Sequence, residues 1–221
     1  MHHQAAFVDA LADGAQRLAA ADPVLAAVID EVGPCRLAPA WSRSPFEALV
    51  RSVAYQQLQG AAAAAILARF VAMFDPPFPE PRGIAALDDA AMRAVGFSRA
   101  KIAAIRDIAA HTEAGVVPDR AEAESLDDAT LIERLTPIRG VGPWTVQMLL
   151  IFTLGRLDVL PADDFGVRSG IRKAYGLEAL PSRRDVLARG DDWHPFRTIA
   201  SWYLWRAAEG NRARGQDAPP P

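Results

Sequence analysis

Cysteine is almost absent from this 221-residue chain, with Cys35 standing alone. One thiol cannot close an internal disulfide or supply the four thiolates of a zinc or iron–sulfur site. Histidine is scarce, and His2, His3, His111 and His194 show no metal-ligand spacing beyond a terminal pair. Lysine occurs only at Lys101 and Lys173. Long apolar runs are missing too: residues 148–154 fall far short of the ~20 residues that span a bilayer. The N-terminus, Met1-His2-His3-Gln4, lacks the basic-then-apolar order of a signal peptide. Alternating strand patterning is also lacking. The expectation is a soluble, cytoplasmic, all-α protein with no membrane partner.

What is present can build a substantial core, since 51% of the residues are hydrophobic. The formal charge of −3 argues at face value against nucleic acid, but distribution matters more than the total. Acids gather over residues 122–133. Bases follow Asp164, at Arg168, Arg172, Lys173, Arg183, Arg184, Arg189, Arg197 and Arg206, where they form either a local basic surface or ordinary solvated helix faces. Helical patterns cover residues 5–20, 23–31, 46–55, 61–74, 88–95, 98–114, 127–135, 144–154, 164–175 and 195–209. Asp22-Pro23 and Ser44-Pro45 each read as a cap followed by proline at the first helical position. Residues 75–81, with four prolines, read as a loop. Residues 144–154 are apolar nearly all round and predict a buried central helix. The tail from residue 211 has a disordered composition.

Three features could carry chemistry. Gly140-Val141-Gly142-Pro143-Trp144-Thr145 is a Gly-x-Gly turn between two helical patterns, and such a turn offers N–H groups to a phosphate at the following helix N-terminus. Carbonyls on its other side can hold a monovalent cation. Taken alone, the turn is as readily structural. Asp163-Asp164 delivers two acids to a helix start, where one can cap while the other projects. Trp193, Phe196, Trp202, Tyr203 and Trp205 crowd a short segment. Packing is the reading for Trp202, although a tryptophan lining a cleft can stack on a base.

In this order the pieces resemble the helix-hairpin-helix DNA glycosylase superfamily, and within it the compact 3-methyladenine DNA glycosylase II family that lacks an N-terminal β-sheet domain. The resemblance runs from about Asp22 to Arg206. It is carried by Phe46-Glu47-Ala48-Leu49-Val50 with Gln56-Gln57-Leu58, by Val95-Gly96-Phe97-Ser98-Arg99-Ala100-Lys101, and by the hairpin. Asp163-Asp164-Phe165, and Trp193-His194-Pro195-Phe196-Arg197 with residues 202–205, complete it. It implies an all-helical fold of two lobes with the active cleft between them. One lobe would comprise residues 1–44 with 159–213, and the other residues 45–158 including the hairpin at 136–145, with 214–221 a disordered tail.

Carried over by position, Asp164 matches the catalytic aspartate, leaving Asp163 as the cap or a supporting charge. Thr136, Ile138 and Val141 match the residues whose carbonyls bind a hairpin Na+ or K+. Gly140, Gly142 and Trp144 match the N–H donors to phosphate. Trp144 and Trp205 match aromatic walls of the base pocket, and Met148 stands where some relatives have Tyr. Residues 55–58 match the turn that plugs the gap left by an extruded nucleotide, with Gln57 or Leu58 as the wedge.

The implied activity is hydrolysis of the N-glycosidic bond of alkylated purines, 3-methyladenine and 7-methylguanine, in base excision repair by base flipping. Asp164 would stabilise an oxocarbenium-like transition state. The superfamily's strand-cleaving members carry a lysine nucleophile at the position held here by Trp144, so no lyase activity is expected. The expected partner is double-stranded DNA containing alkylated bases, bound by a nucleoid-associated monomer with no catalytic cofactor and no iron–sulfur cluster. The alternatives are a glycosylase for another damaged base, or a non-catalytic helix-hairpin-helix DNA-binding module.

Overall fold

The computed structural model describes residues 2–58, 60–74 and 78–210, and among them it contains helices, turns and irregular loops but no strand. The fold is all-α. The segment 211–221, including the tail expected at 214–221, lies outside the described residues, as do Gln59 and residues 75–77 of the proline loop.

The chain divides into two compact units at Pro39/Ala40 and Leu154/Gly155. These seams lie a few residues before the 44/45 and 158/159 boundaries expected from sequence, because hydrogen bonds claim the intervening residues. Ala40 N–H donates to the Phe152 carbonyl at 2.8 Å, and Arg120 reaches the carbonyls of Arg43 and Thr153 at 3.1 and 3.0 Å. Those contacts hold residues 40–43 in the central unit. Asp158 instead takes Arg197 Nε and Nη2 at 2.7 and 2.6 Å, which assigns it to the terminal unit.

The terminal unit contains α1 (His2–Ala21), α2 (Pro23–Val32), α11 (Phe165–Ala174), α12 (Arg183–Gly190) and α13 (Arg197–Glu209), with a 3₁₀ turn at Asp191–Trp193. Its core is built on Leu18, Leu25, Val167, Ile171, Trp193, Ile199 and Tyr203, all essentially inaccessible to solvent. Asp22 is a buried exception among these apolar groups. One carboxylate oxygen caps α2, accepting from Val24 and Leu25 N–H at 3.0 and 3.1 Å, and the other accepts from the Tyr175 hydroxyl and, at 3.1 Å, from Trp193 Nε1. Burial pushes this carboxyl up, but the hydrogen bonds outweigh it and leave it below the ordinary aspartate range. Cys35 follows α2, and burial raises its thiol to about 12.

The central unit contains α3 (Pro45–Tyr55), α4 (Gly60–Val71), α5 (Pro81–Ala86), α6 (Asp89–Ala94), α7 (Arg99–Glu113), α8 (Arg120–Ser125), α9 (Asp128–Leu135) and α10 (Pro143–Phe152). Phe70 packs edge-on against Phe74 and Phe97 at ring separations of 5.4 and 5.2 Å. As the apolar run predicts, α10 is buried nearly all round, from Thr145 and Val146 through Met148 to Phe152. Residues 78–80 are irregular, but Pro81 opens α5 instead of ending a loop, because proline at the first helical position forfeits only an N–H that has no partner there.

Candidate active site

The acidic turn begins α11, where sequence left either aspartate as the cap. Asp164 is the cap: its Oδ1 accepts from Val167 N–H at 2.8 Å, in the ordinary N-cap geometry. Asp163 is exposed and pairs with Arg183 at 3.1 Å, so of its two expected roles it takes the charge and not the cap. Capping does not remove Asp164 from chemistry, since a carboxylate has two oxygens and about four acceptor sites. A second donor reaches the same oxygen, Trp205 Nε1, at 2.8 Å. Trp205 was expected only as a pocket wall. Its polar edge is bonded to the carboxylate, and the side chain is half-buried.

Trp202 is buried in packing, as read from sequence, with the Arg206 guanidinium 4.0 Å from its ring centre. His194 pairs with Asp158 at 2.7 Å, and Arg197 shares that carboxylate. Burial raises the Asp158 carboxyl, while these hydrogen bonds outweigh burial and leave it below the usual range. Much of the expected basic surface is also engaged in contacts within the protein, although Arg183 stays exposed. Arg168 donates to the Pro181 carbonyl at 2.8 Å and Arg189 lies 3.8 Å from the Tyr175 ring centre, in addition to the contacts of Arg183, Arg197 and Arg206 above. A hollow of about 560 Å³ beside α2, walled in part by Glu31, Lys173 and Arg206, does not include Asp164 among its lining residues.

In the central unit, α9 ends at Leu135, Thr136 forms its C-cap, and α10 starts from Gly142, an N-cap with no side-chain hydrogen bond. Glycine brings no side-chain acceptor of its own to this helix start, and a helix N-terminus is a place where an anion binds. Gly140 has φ +79°, and a Cβ there would lie 2.8 Å from the Ala104 Cβ on α7. Glycine is needed for both reasons. The turn is fixed from outside as well: Arg139 N–H donates to Asp107 Oδ2 at 2.7 Å, and Gln56 Nε2 donates to the Gly140 carbonyl at 3.0 Å. Ile138 and Val141 are buried, and Val141 N–H donates to the Ile138 carbonyl at 3.0 Å, which leaves that oxygen its second lone pair.

Trp144 is 40% exposed at the first turn of α10, whereas Met148, expected at the pocket, is 4% exposed and presents little surface to any ligand. Gln57 and Leu58 are both exposed at the tip of the turn after α3. Gln57 sits at φ +58°, the one left-handed non-glycine among the described residues. Lys101 Nζ donates to the Ala54 carbonyl at 2.6 Å, and burial lowers its amine below the ordinary lysine value. The sequence blocks around Gln56 and Lys101 thus converge on one turn. Sequence reasoning missed Gln56 as a support and Trp205 as a donor. Among the described residues, no group of three or more His, Cys, Asp and Glu side chains is placed to hold a metal ion, and no helix is long and apolar enough to cross a membrane.

Comparison with known proteins gives this geometry a context. DNA-3-methyladenine glycosylase 1 of Schizosaccharomyces pombe is 46% identical over 168 residues, covering 76% of this chain and 74% of the relative. The alkylbase DNA glycosidase-like protein mag2 of the same organism is 34% identical over 203 residues, covering 91% and 95%. The solved structure of S. pombe 3-methyladenine DNA glycosylase in complex with abasic DNA superposes with a TM-score of 0.85 at 41% identity, covering 90% of this chain and 98% of that one. The family model for the HhH-GPD superfamily base excision DNA repair protein matches residues 50–205, a span that includes the hairpin, Asp164 and Trp205. With its helical architecture and these matches, the chain belongs to the HhH-GPD superfamily of base excision DNA repair proteins.

Proposed function

We propose that this protein is a DNA glycosylase that hydrolyses the N-glycosidic bond of alkylated purines, 3-methyladenine and 7-methylguanine, in double-stranded DNA. The observation that carries the mechanism is the Asp164 carboxylate, held on Oδ1 by Val167 N–H and Trp205 Nε1. As the C1′–N bond breaks, its electron pair leaves with the base and the sugar becomes cationic. A carboxylate about 4 Å away, at an effective dielectric of ~20, contributes about 4 kcal/mol, a rate effect of about 10³. Water, oriented by the same carboxylate, then adds at C1′ and gives up one proton to that carboxylate and on to solvent, leaving the neutral 1′-hydroxyl. An alkylated purine carries a positive charge before it departs, so no strong general acid is required.

The relatives named as 3-methyladenine glycosylases support the substrate class. Trp144 and Trp205 supply aromatic surface for a cationic base, and damaged bases unstack at lower cost. Gly140, Gly142 and Trp144 offer main-chain N–H groups to phosphate, and Gln57 or Leu58 fills the gap left in the duplex. Three neutral carbonyls, those of Thr136, Ile138 and Val141, suit Na+ or K+ better than a divalent ion, which would draw carboxylates. Such an ion would brace the hairpin and take no part in bond cleavage. Trp144 at the lysine position, with Lys101 engaged at Ala54, supports hydrolysis without strand cleavage. The protein is read as a monomer, acting at the nucleoid without a catalytic cofactor.

Incubating methylated DNA with the protein and identifying the released base by chromatography tests the assignment. Free 3-methyladenine is the expected product; release of 8-oxoguanine alone from a panel of lesions would overturn it. Asp164→Asn keeps an N-cap acceptor and should slow release about a thousandfold while duplex affinity holds or rises. Unchanged turnover would refute the role of Asp164.

A further inference from the structure

The contact between Asp164 and Trp205 depends on a close approach that only glycine permits. Gly166 and Gly170 lie one turn apart on α11. A Cβ at Gly166 would sit 2.6 Å from Trp205 Cδ1 and 3.1 Å from its Nε1, and also 3.0 Å from Asp164 Oδ1. A Cβ at Gly170 would lie 2.0 Å from the Leu204 carbonyl oxygen. Two bare positions thus let α13 settle against α11 where the Trp205 indole meets the acidic cap. The helix-interior cost of Gly170, about 1 kcal/mol relative to alanine, is accepted at this seam.

We propose that Trp205 is a positioning residue for Asp164 and that Gly166 is what lets it act. The proposal rests on Asp164 being the charge that faces the sugar. One donor at a cap leaves a carboxylate able to rotate about its Cβ–Cγ bond. Two donors arriving at Oδ1 from different directions, one main-chain and one indole, fix the carboxylate plane and with it the direction of Oδ2. The Coulomb gain from a carboxylate depends on where its charge lies when the glycosidic bond breaks, so holding the plane contributes to rate without adding a contact to the substrate. Trp205 therefore serves by its edge as well as by its face. The seam sets the distance.

Two variants separate these roles. Trp205→Phe keeps an aromatic face and deletes the N–H donor, while Gly166→Ala keeps every functional group and displaces the indole. Single-turnover release of 3-methyladenine from methylated duplex should fall in both, by a factor approaching a hundred, as expected for a misplaced catalytic group. Affinity for an abasic duplex and the thermal midpoint of Trp205→Phe should stay near wild type. In an Asp164→Asn background Trp205→Phe, which keeps the aromatic face, should not slow release further. In a ¹⁵N–¹H spectrum, Asp164→Asn should shift the Trp205 indole resonance.

A full rate for Trp205→Phe, or an unshifted indole resonance, overturns the inference while leaving Asp164 in its role. Equal slowing in the wild-type and Asp164→Asn backgrounds also overturns it, because the indole would then act on the base alone. Asp164→Asn at full rate removes the proposed function itself, and this inference with it.

Discussion

The acidic corner at the start of α11 and the hairpin at the start of α10 are both helix N-termini, and they are finished in opposite ways. At α11 a side chain fills the cap, and the carboxylate is gripped on one oxygen by a main-chain N–H and an indole. At α10 the cap is Gly142 with no side-chain bond, and neighbouring side chains grip the main chain: Asp107 takes Arg139 N–H and Gln56 holds the Gly140 carbonyl. Stabilising a transient cation needs a full charge in one place. Holding a phosphate needs several neutral N–H dipoles aimed together. In the proposed function, the contrast divides turnover from affinity between the two places.

Asp164→Asn, with the roughly thousandfold loss of rate at retained affinity expected of it, marks one end of that division. Gly140→Val should fall at the other end. A β-branched residue at φ +79° against Ala104 deforms the hairpin, and duplex binding should weaken by about tenfold or more, or roughly 1.4 kcal/mol, with saturating turnover little changed. A fluorescence-anisotropy titration alongside single-turnover rates checks both, and loss of turnover at unchanged affinity would erase the distinction. Gln56→Ala removes the neutral hydrogen bond to the Gly140 carbonyl, about 1 kcal/mol, along with a longer one to Thr145 Oγ1 at 3.4 Å, and should weaken binding about fivefold. The smallest effect concerns ions. A grip made largely of main-chain dipoles displaces few counterions, so log affinity against log salt should have a shallow slope of about −2. A steep slope would shift the grip to arginine side chains.

The long helices and their starts were legible because their signals are local. Asp22-Pro23, Ser44-Pro45 and the apolar run of α10 each declare themselves within a few residues. The short helices α5 and α8, six residues each, escaped the reading, whereas α6, equally short, was found at residues 88–95. The helix α12 carried a readable sign in its Ser182–Asp185 capping box. What local reading missed were partners distant in sequence. Trp205 meets Asp164 from 41 residues away, Gln56 meets Gly140 from 84, and Trp193 meets Asp22 from 171. An arginine count likewise cannot tell Arg189, stacked on Tyr175, from one awaiting a phosphate. The cap was left open between Asp163 and Asp164 because adjacent acids satisfy the same local rule, and Asp164 is the one that turns in, towards Val167 N–H and Trp205.

Cys35 gives the protein a chemical temperament suited to its task. Burial holds the thiol well above the ordinary cysteine value, so little of it is the nucleophilic thiolate at neutral pH. Electrophiles that methylate purine nitrogens also consume thiolates, and burial makes this one a poor target.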